Sequence, residues 1–502
     1  MTIVETGSGR VQGIGRGGVA TFLGISYAAP ITPARRFLAP QPVKPWAGVR
    51  DATRLSPICP QIPTYGPVGH GAASALVAGE DFLTVNVRTP SLSGKAPVLF
   101  WIHGGGYAVG SANEPVLQSG AFAASGIVEV TVNYRLGVLG FLHLEGAANR
   151  GMLDIIQALR WVRDNIAQFG GDPNRVTLAG RSAGGFAVAT LMAMPEAKGL
   201  FARAMPQSGA STAVLSVADA LKTTHRYLAR LGTDEAGLIA GPPVKAMLEA
   251  QRDICDQSYT QHDFARDGAA AMLGVPLVPV IEGESLPDHP EVAALTGRAA
   301  QVPMMIGCTT AEYLTHATAQ PQEMDYATAA RLLDPRVRPI GLSGEEIVAR
   351  YRRALPQHSP IGIWRAVGGD LVFQNPASRF AAAHARFQPV VKYLFGAIEP
   401  NELGAPHGAE VGAVWYRPGL DQSERPARQI VHEPSFAAGV HAVWASFIAG
   451  ATVLPGNRLW PRFDPVNPQV ARLDGGRFAV MSDTFFERLT LWGTPTSEPP
   501  ER

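Results

Sequence analysis

Residues 176–185 read VTLAGRSAGG: an apolar, β-branched run, then Gly180-Arg181-Ser182-Ala183-Gly184, then small residues suited to opening a helix. The pattern G-x-S-x-G describes a strand that turns sharply into a helix with serine at the apex, its hydroxyl exposed and the helix amides facing it. Gly180 and Gly184 lack a Cβ, so strand and helix can crowd together around a serine whose backbone is strained. Ser182 therefore reads as a nucleophile, with a strand expected over Arg175–Ala179 and a helix over Ala183–Met194.

In a chain with 54 glycines one such pattern carries little weight alone. A second motif strengthens it. His103-Gly104-Gly105-Gly106 follows the apolar run Pro97–Ile102, and a glycine turn of this kind after a central strand supplies backbone N–H groups to a tetrahedral oxyanion.

Further stretches extend the pattern: EDFLTVNVRTP (80–90), WIHGGGYAVGS (101–111), NYRLGVLGF (133–141), ALRWVRDNIAQFGGDPNRVTLAGRSAGG (158–185), GCTTAE (307–312) and GAPHGAE (404–410). In this order they make the chain resemble the type B carboxylesterases, the cholinesterase-like branch of the α/β-hydrolases, through most of its length. The resemblance implies an α/β-hydrolase fold: a large, mostly parallel central sheet with helices on both faces, an N-terminal antiparallel ribbon and helical insertions.

The residues agree with that architecture. Positions 2–27 form a Gly-punctuated antiparallel ribbon, Pro30–Pro67 is a proline-rich covering segment, and strand and helix patterns alternate from Asn86 onward. Ile155, Leu159, Val162 and Ile166 recur at helical spacing between Asp154 and Gln168, with Gly170, Gly171 and Pro173 ending the element. One elaborated catalytic domain is expected over 1–493, with insertions at about 210–300 and 315–385 forming lid and pocket walls, and a disordered tail at 494–502.

A nucleophilic serine needs a base, and the base needs a carboxylate to hold its tautomer and stabilise the imidazolium. In an α/β-hydrolase the chain order is Ser, acid, His. The strand Val302–Ile306 leads to Glu312, and the strand Pro389–Phe395 leads to His407 between Gly404 and Gly408. Both positions match the family's motifs, so the resemblance gives Glu312 the acid's role and His407 the base's. His432 and His441 are the rival histidines.

By the same resemblance Gly105, Gly106 and Ala183 supply the oxyanion donors, while His103 orders its loop. Gln207, Ser208 and Gly209, after the strand Ala202–Met205, are expected either to support the histidine from behind or to form a simple strand-end turn, and Glu410, the nearest competitor to Glu312, is read as a supporting carboxylate. Arg181 departs from the family, whose usual segment has glutamate just before the serine. Reversing that charge alters the field over the pocket. Arg181 is therefore a substrate-binding candidate that favours neutral or anionic substrates and disfavours the imidazolium of His407, the alternative being a quiet pairing with a local acid. The segment Ile62–Gly79 shows no clear counterpart to the aromatic residue that binds quaternary ammonium in cholinesterases, which makes choline esters poor candidates.

Composition bounds the rest. With 43 Lys and Arg against 42 Asp and Glu, the net charge is +1, which gives no electrostatic basis for a nucleic-acid partner. The apolar runs are too short to span a bilayer, the N-terminus lacks a signal-peptide pattern, and membrane insertion is not expected. Cys59, Cys255 and Cys308 cannot make a disulfide framework. The resemblance adds that secreted relatives usually pair a cysteine at the position of Phe82 with one resembling Cys59, so a cytoplasmic enzyme is expected.

The function expected is a serine carboxylesterase acting on a small-molecule ester as a monomer or homodimer, with no metal or organic cofactor. The alternatives are an amidase or carbamate hydrolase on the same triad, and a non-catalytic binding module, whose relatives characteristically lose the serine.

Overall fold

The computed structural model describes residues 1–62, 77–313, 323–396, 404–417, 432–456 and 458–493, with the backbone of a short hairpin pairing 64–65 with 68–69. Its main sheet has 13 strands: β1 Thr2–Thr6, β2 Gly9–Arg16, β3 Val19–Ser26, β4 Val49–Asp51, β5 Thr84–Thr89, β6 Ala96–Ile102, β7 Val128–Val132, β8 Gly171–Arg181, β9 Arg203–Gln207, β10 Met304–Thr309, β11 Val390–Phe395, β12 Gln469–Asp474 and β13 Arg477–Ser482. The order is β1-β2-β3-β5-β7-β6-β8-β9-β10-β11-β12-β13, with β4 beside β2.

From β7 to β12 every neighbouring pair is parallel, whereas β1, β2, β3, β5 and β7 pair antiparallel in turn and β13 closes the far edge antiparallel. A parallel sheet needs both faces covered. The central strands are accordingly buried: β7 and β11 are covered at every position, including the charged Glu129 and Lys392.

Side chains alternate along a strand, and β8 divides two cores. Val176 and Leu178 join the cluster beneath α1 (Arg150–Asn165) and α2 (Ala183–Ala193), while Ala179 joins Trp101, Trp444 and Phe447 beneath α3 (Pro434–Ala449). In α1 the predicted stripe Ile155, Leu159 and Val162 is fully buried, and Ile166 follows in a 3-10 turn. The strand expected from Arg175 begins earlier, at Gly171, with a register irregularity between Gly171 and Val176.

Register places the chemistry. Gly180 pairs with Ile102 on β6, Arg181 with Gln207 on β9, and Gln207 with Gly307 on β10. The carboxyl ends of these strands therefore lie along one edge, where ligands bind in open α/β sheets. His103, Ser182, Ser208 and the loop leading to Glu312 leave the sheet side by side. The expected tail at 494–502 and the centre of the Ile62–Gly79 segment lie outside the described residues. No described helix is long and apolar enough to cross a membrane.

Candidate active site

Ser182 has φ 60° and ψ −123°, a left-handed conformation that a residue with a Cβ adopts only when its surroundings enforce it. Its amide donates to the Gln207 carbonyl at 2.9 Å, and its own carbonyl accepts from the Phe186 amide at 2.9 Å. The glycines make the elbow possible. A Cβ on Gly184 would stand 2.1 Å from the Ile102 carbonyl oxygen, and one on Gly180 would meet the Gly184 backbone at 2.5 Å.

The glycine turn after β6 packs against this elbow. A Cβ on Gly104 would lie 2.8 Å from the Arg181 carbonyl oxygen, and one on Gly105, at φ +116°, would lie 2.0 Å from that of Val109. Gly106 also has positive φ, 59°. The first amides of α2, beginning at Ala183, have no intrahelical acceptor. His103 is buried, stacks on Tyr134 at 4.6 Å and makes a 2.9 Å contact from Nδ1 to the Gly104 carbonyl, which fits an ordering role for this loop.

Ser182, Glu312 and His407 come together from loops far apart in sequence. Ser182 Oγ donates to His407 Nε2 at 2.9 Å, and His407 Nδ1 donates to Glu312 Oε2 at 2.5 Å. The carboxylate thereby selects the tautomer whose Nε2 can accept a proton. Glu312 Oε1 is held by the Thr309 amide and Ser208 Oγ, both at 2.7 Å.

Ser208, expected behind the histidine, thus grips the acid, because the neighbouring ends of β9 and β10 bring it beside Thr309. Glu410 is fully buried, and neither carboxylate oxygen has a hydrogen-bond partner among the described residues. Arg181 is partly exposed, and its guanidinium lies against Gly408, where an added Cβ would sit 3.0 Å from its carbon. Arg181 forms no ion pair among the described residues, so the quiet pairing considered from sequence is absent there. His432 and His441 bind elsewhere, His432 to the Ala409 carbonyl and His441 to Ser125 and the Val414 carbonyl.

Sequence reasoning missed Phe373, whose ring lies 4.7 Å from the His407 ring at 35°. It comes from a π-helical turn, Asp370–Gln374, with no local signature linking it to the histidine. It also missed Gln61, which exchanges two hydrogen bonds with the Gly110 backbone below the glycine turn.

Burial pushes the His407 pKa below the ordinary imidazole value; Glu312 opposes the shift and Arg181 adds to it. General-base catalysis by His407 would require neutral imidazole, so the lowered pKa would extend such activity toward acid. The acid limb of kcat/KM on a neutral ester should have its midpoint below the ordinary value of about 6.5. Arg181→Gln should move that limb upward. A pH profile measured on both proteins checks this, and a wild-type limb at or above the ordinary value would contradict it.

A parallel sheet, a serine at a strand–helix elbow, and an imidazole and carboxylate delivered by later loops define an α/β-hydrolase. The Carboxylesterase family profile matches residues 1–492, and the chain belongs to that family; it is a carboxylic ester hydrolase. It is 33% identical over 491 residues to para-nitrobenzyl esterase of Bacillus subtilis (strain 168), covering 94% of each chain. It is 31% identical over 488 residues to phenmedipham hydrolase of Pseudarthrobacter oxydans, covering 93% of this chain and 94% of that one. A solved PNB esterase structure superposes with a TM-score of 0.84 at 30% identity, covering 98% and 99% of the two chains.

Proposed function

We propose that the chain is a serine carboxylesterase that cleaves small-molecule esters through an acyl-enzyme, as a single catalytic domain over 1–493 working in the cytoplasm. The observation that carries this reading is the continuous relay from Ser182 Oγ through His407 to Glu312, at 2.9 and 2.5 Å. Ser182 attacks the ester carbonyl while His407 Nε2 takes its proton. The tetrahedral oxyanion is held by the N–H groups of Gly105, Gly106 and Ala183. His407 then gives the proton to the departing alkoxide. Water enters, loses a proton to His407 and attacks the acyl carbonyl; the acid leaves as His407 returns that proton to Ser182 Oγ, and Glu312 stabilises the imidazolium at each stage.

A phosphorylating inhibitor tests the nucleophile directly. Diisopropyl fluorophosphate should modify Ser182 with one-to-one stoichiometry, in parallel with loss of esterase activity, as read by peptide mass spectrometry. Modification of a different serine, or inhibition without modification, would overturn the assignment.

A further inference from the structure

Arg181 stands out as a cation beside the reacting serine without an ion-pair partner among the described residues. It shares partial exposure with its chain neighbour Ser182 and with His407, and its guanidinium lies against Gly408, next to that histidine, so an ester at Ser182 is within its reach. Its charge opposes the burial-driven rise in pKa of two carboxyl groups on different elements: Glu114, in the loop after the glycine turn, and Glu410, three residues beyond His407. Neither comes within ion-pair distance. The planar fork of the Arg181 guanidinium suits a carboxylate.

From this arrangement we infer that Arg181 is a carboxylate-binding subsite of the ester pocket, that the enzyme prefers esters carrying a free carboxylate, and that Glu410 sets how strong that preference is. The inference rests on the serine-esterase reading and adds a substrate class to it.

Glu410 has the setting of a gate. Its carboxyl is fully buried, with both oxygens unpartnered among the described residues. Burial pushes its pKa up to about 7, Arg181 opposes that shift, and Glu312 reinforces it. Among the described residues, the Glu410 charge also acts on Cys308 and Tyr393, both held protonated by burial. When Glu410 is neutral, Arg181 presents its full charge to substrate. Once Glu410 ionises, it offsets that charge and the attraction for an anion weakens. The preference should therefore be largest below about pH 7 and decline above it, while a substrate carboxylate stays ionised throughout.

Matched ester pairs read this without interference from the shared pH dependence of His407. para-Acetoxybenzoate against its methyl ester places the carboxylate on the alcohol half. Mono-para-nitrophenyl adipate against para-nitrophenyl hexanoate places it on the acyl half. In at least one pair, the charged-to-neutral ratio of kcat/KM should fall about ten-fold in Arg181→Gln, the scale expected for one partly screened charge at contact distance. The pair that responds shows which half the subsite holds.

In wild type the same ratio should fall several-fold from about pH 6 to about pH 8, and in Glu410→Gln it should stay level. The Glu410→Gln measurement leaves Arg181 in place, so it stands even if Arg181→Gln folds poorly. Ratios that do not respond to Arg181→Gln in either pair, or a decline with pH that survives in Glu410→Gln, would overturn the inference while the neutral esters are still hydrolysed. Failure to hydrolyse any of these esters would overturn the esterase reading, and this inference with it.

Discussion

Ser182→Ala is expected to lower kcat by roughly 10⁴- to 10⁶-fold while leaving the fold intact. Alanine carries the same Cβ into the same left-handed backbone, so the strain at φ 60° is unchanged and only the hydroxyl is lost. The hydroxyl's hydrogen bond is to His407, so its removal leaves the Glu312 anchors from Thr309 and Ser208 undisturbed. His407→Ala should be comparably severe, and the double variant no worse than either single one, because in the proposed mechanism nucleophile and base act as a unit. Glu312→Gln should cost roughly 10³- to 10⁴-fold, by releasing the tautomer rather than removing a reacting atom. Steady-state kinetics on a neutral para-nitrophenyl ester, alongside thermal unfolding, would separate these outcomes. Additive losses in the Ser182 and His407 pair would show that the two side chains do not form one relay.

What could be read in the sequence is what backbone geometry demands locally. The elbow at Gly180–Gly184 and the turn at Gly104–Gly106 are legible because a Cβ would collide with neighbouring backbone at 2.0 to 2.8 Å at Gly105, Gly184, Gly180 and Gly104, and few residue types satisfy that. Glu312 and His407 were reachable through motif order, because each follows a recognisable apolar strand. The parts that escaped depend on pairing between strands distant in sequence. That Ser208 holds the acid rather than the histidine follows from the pairing of Gln207 with Gly307, which no local pattern encodes. Phe373 reaches His407 from a helical segment whose composition resembles any buried helix. Arg181 was visible as a reversed charge, but the company of Glu114 and Glu410 was visible only once the loops were closed.

The NYRLG segment illustrates the difference between a motif's presence and its physical cause. Arg135 and Asp154 form a fully buried ion pair, with Nη2 to Oδ1 at 2.6 Å and Nε to Oδ2 at 2.7 Å, and the Arg135 amide adds a bond to Oδ2 at 3.0 Å. The same guanidinium donates to the Arg36 and Leu38 carbonyls at 3.1 and 2.6 Å, fastening the N-terminal covering segment to α1. Next to it, Tyr134 donates its hydroxyl to the His103 carbonyl at 3.1 Å, and the Gly137 amide donates to the Tyr107 carbonyl at 2.6 Å. The pair therefore braces the loop on which the glycine turn rests.

Asp154→Leu should destabilise the protein by about 3–5 kcal/mol, because it strands a guanidinium that has no access to water. It should also lower kcat, since Tyr134 and Gly137 lose their fixed position against the turn. Adding Arg135→Met removes the stranded charge and should restore part of the stability. It still forfeits the two carbonyl bonds to the covering segment, each a contribution of about 1 kcal/mol. Denaturant unfolding of both single variants and the double variant closes the cycle. If Asp154→Leu alone proved as stable as the wild type, the pair would be solvated in solution, and the bracing of the glycine turn would have to come from the apolar packing of α1 instead.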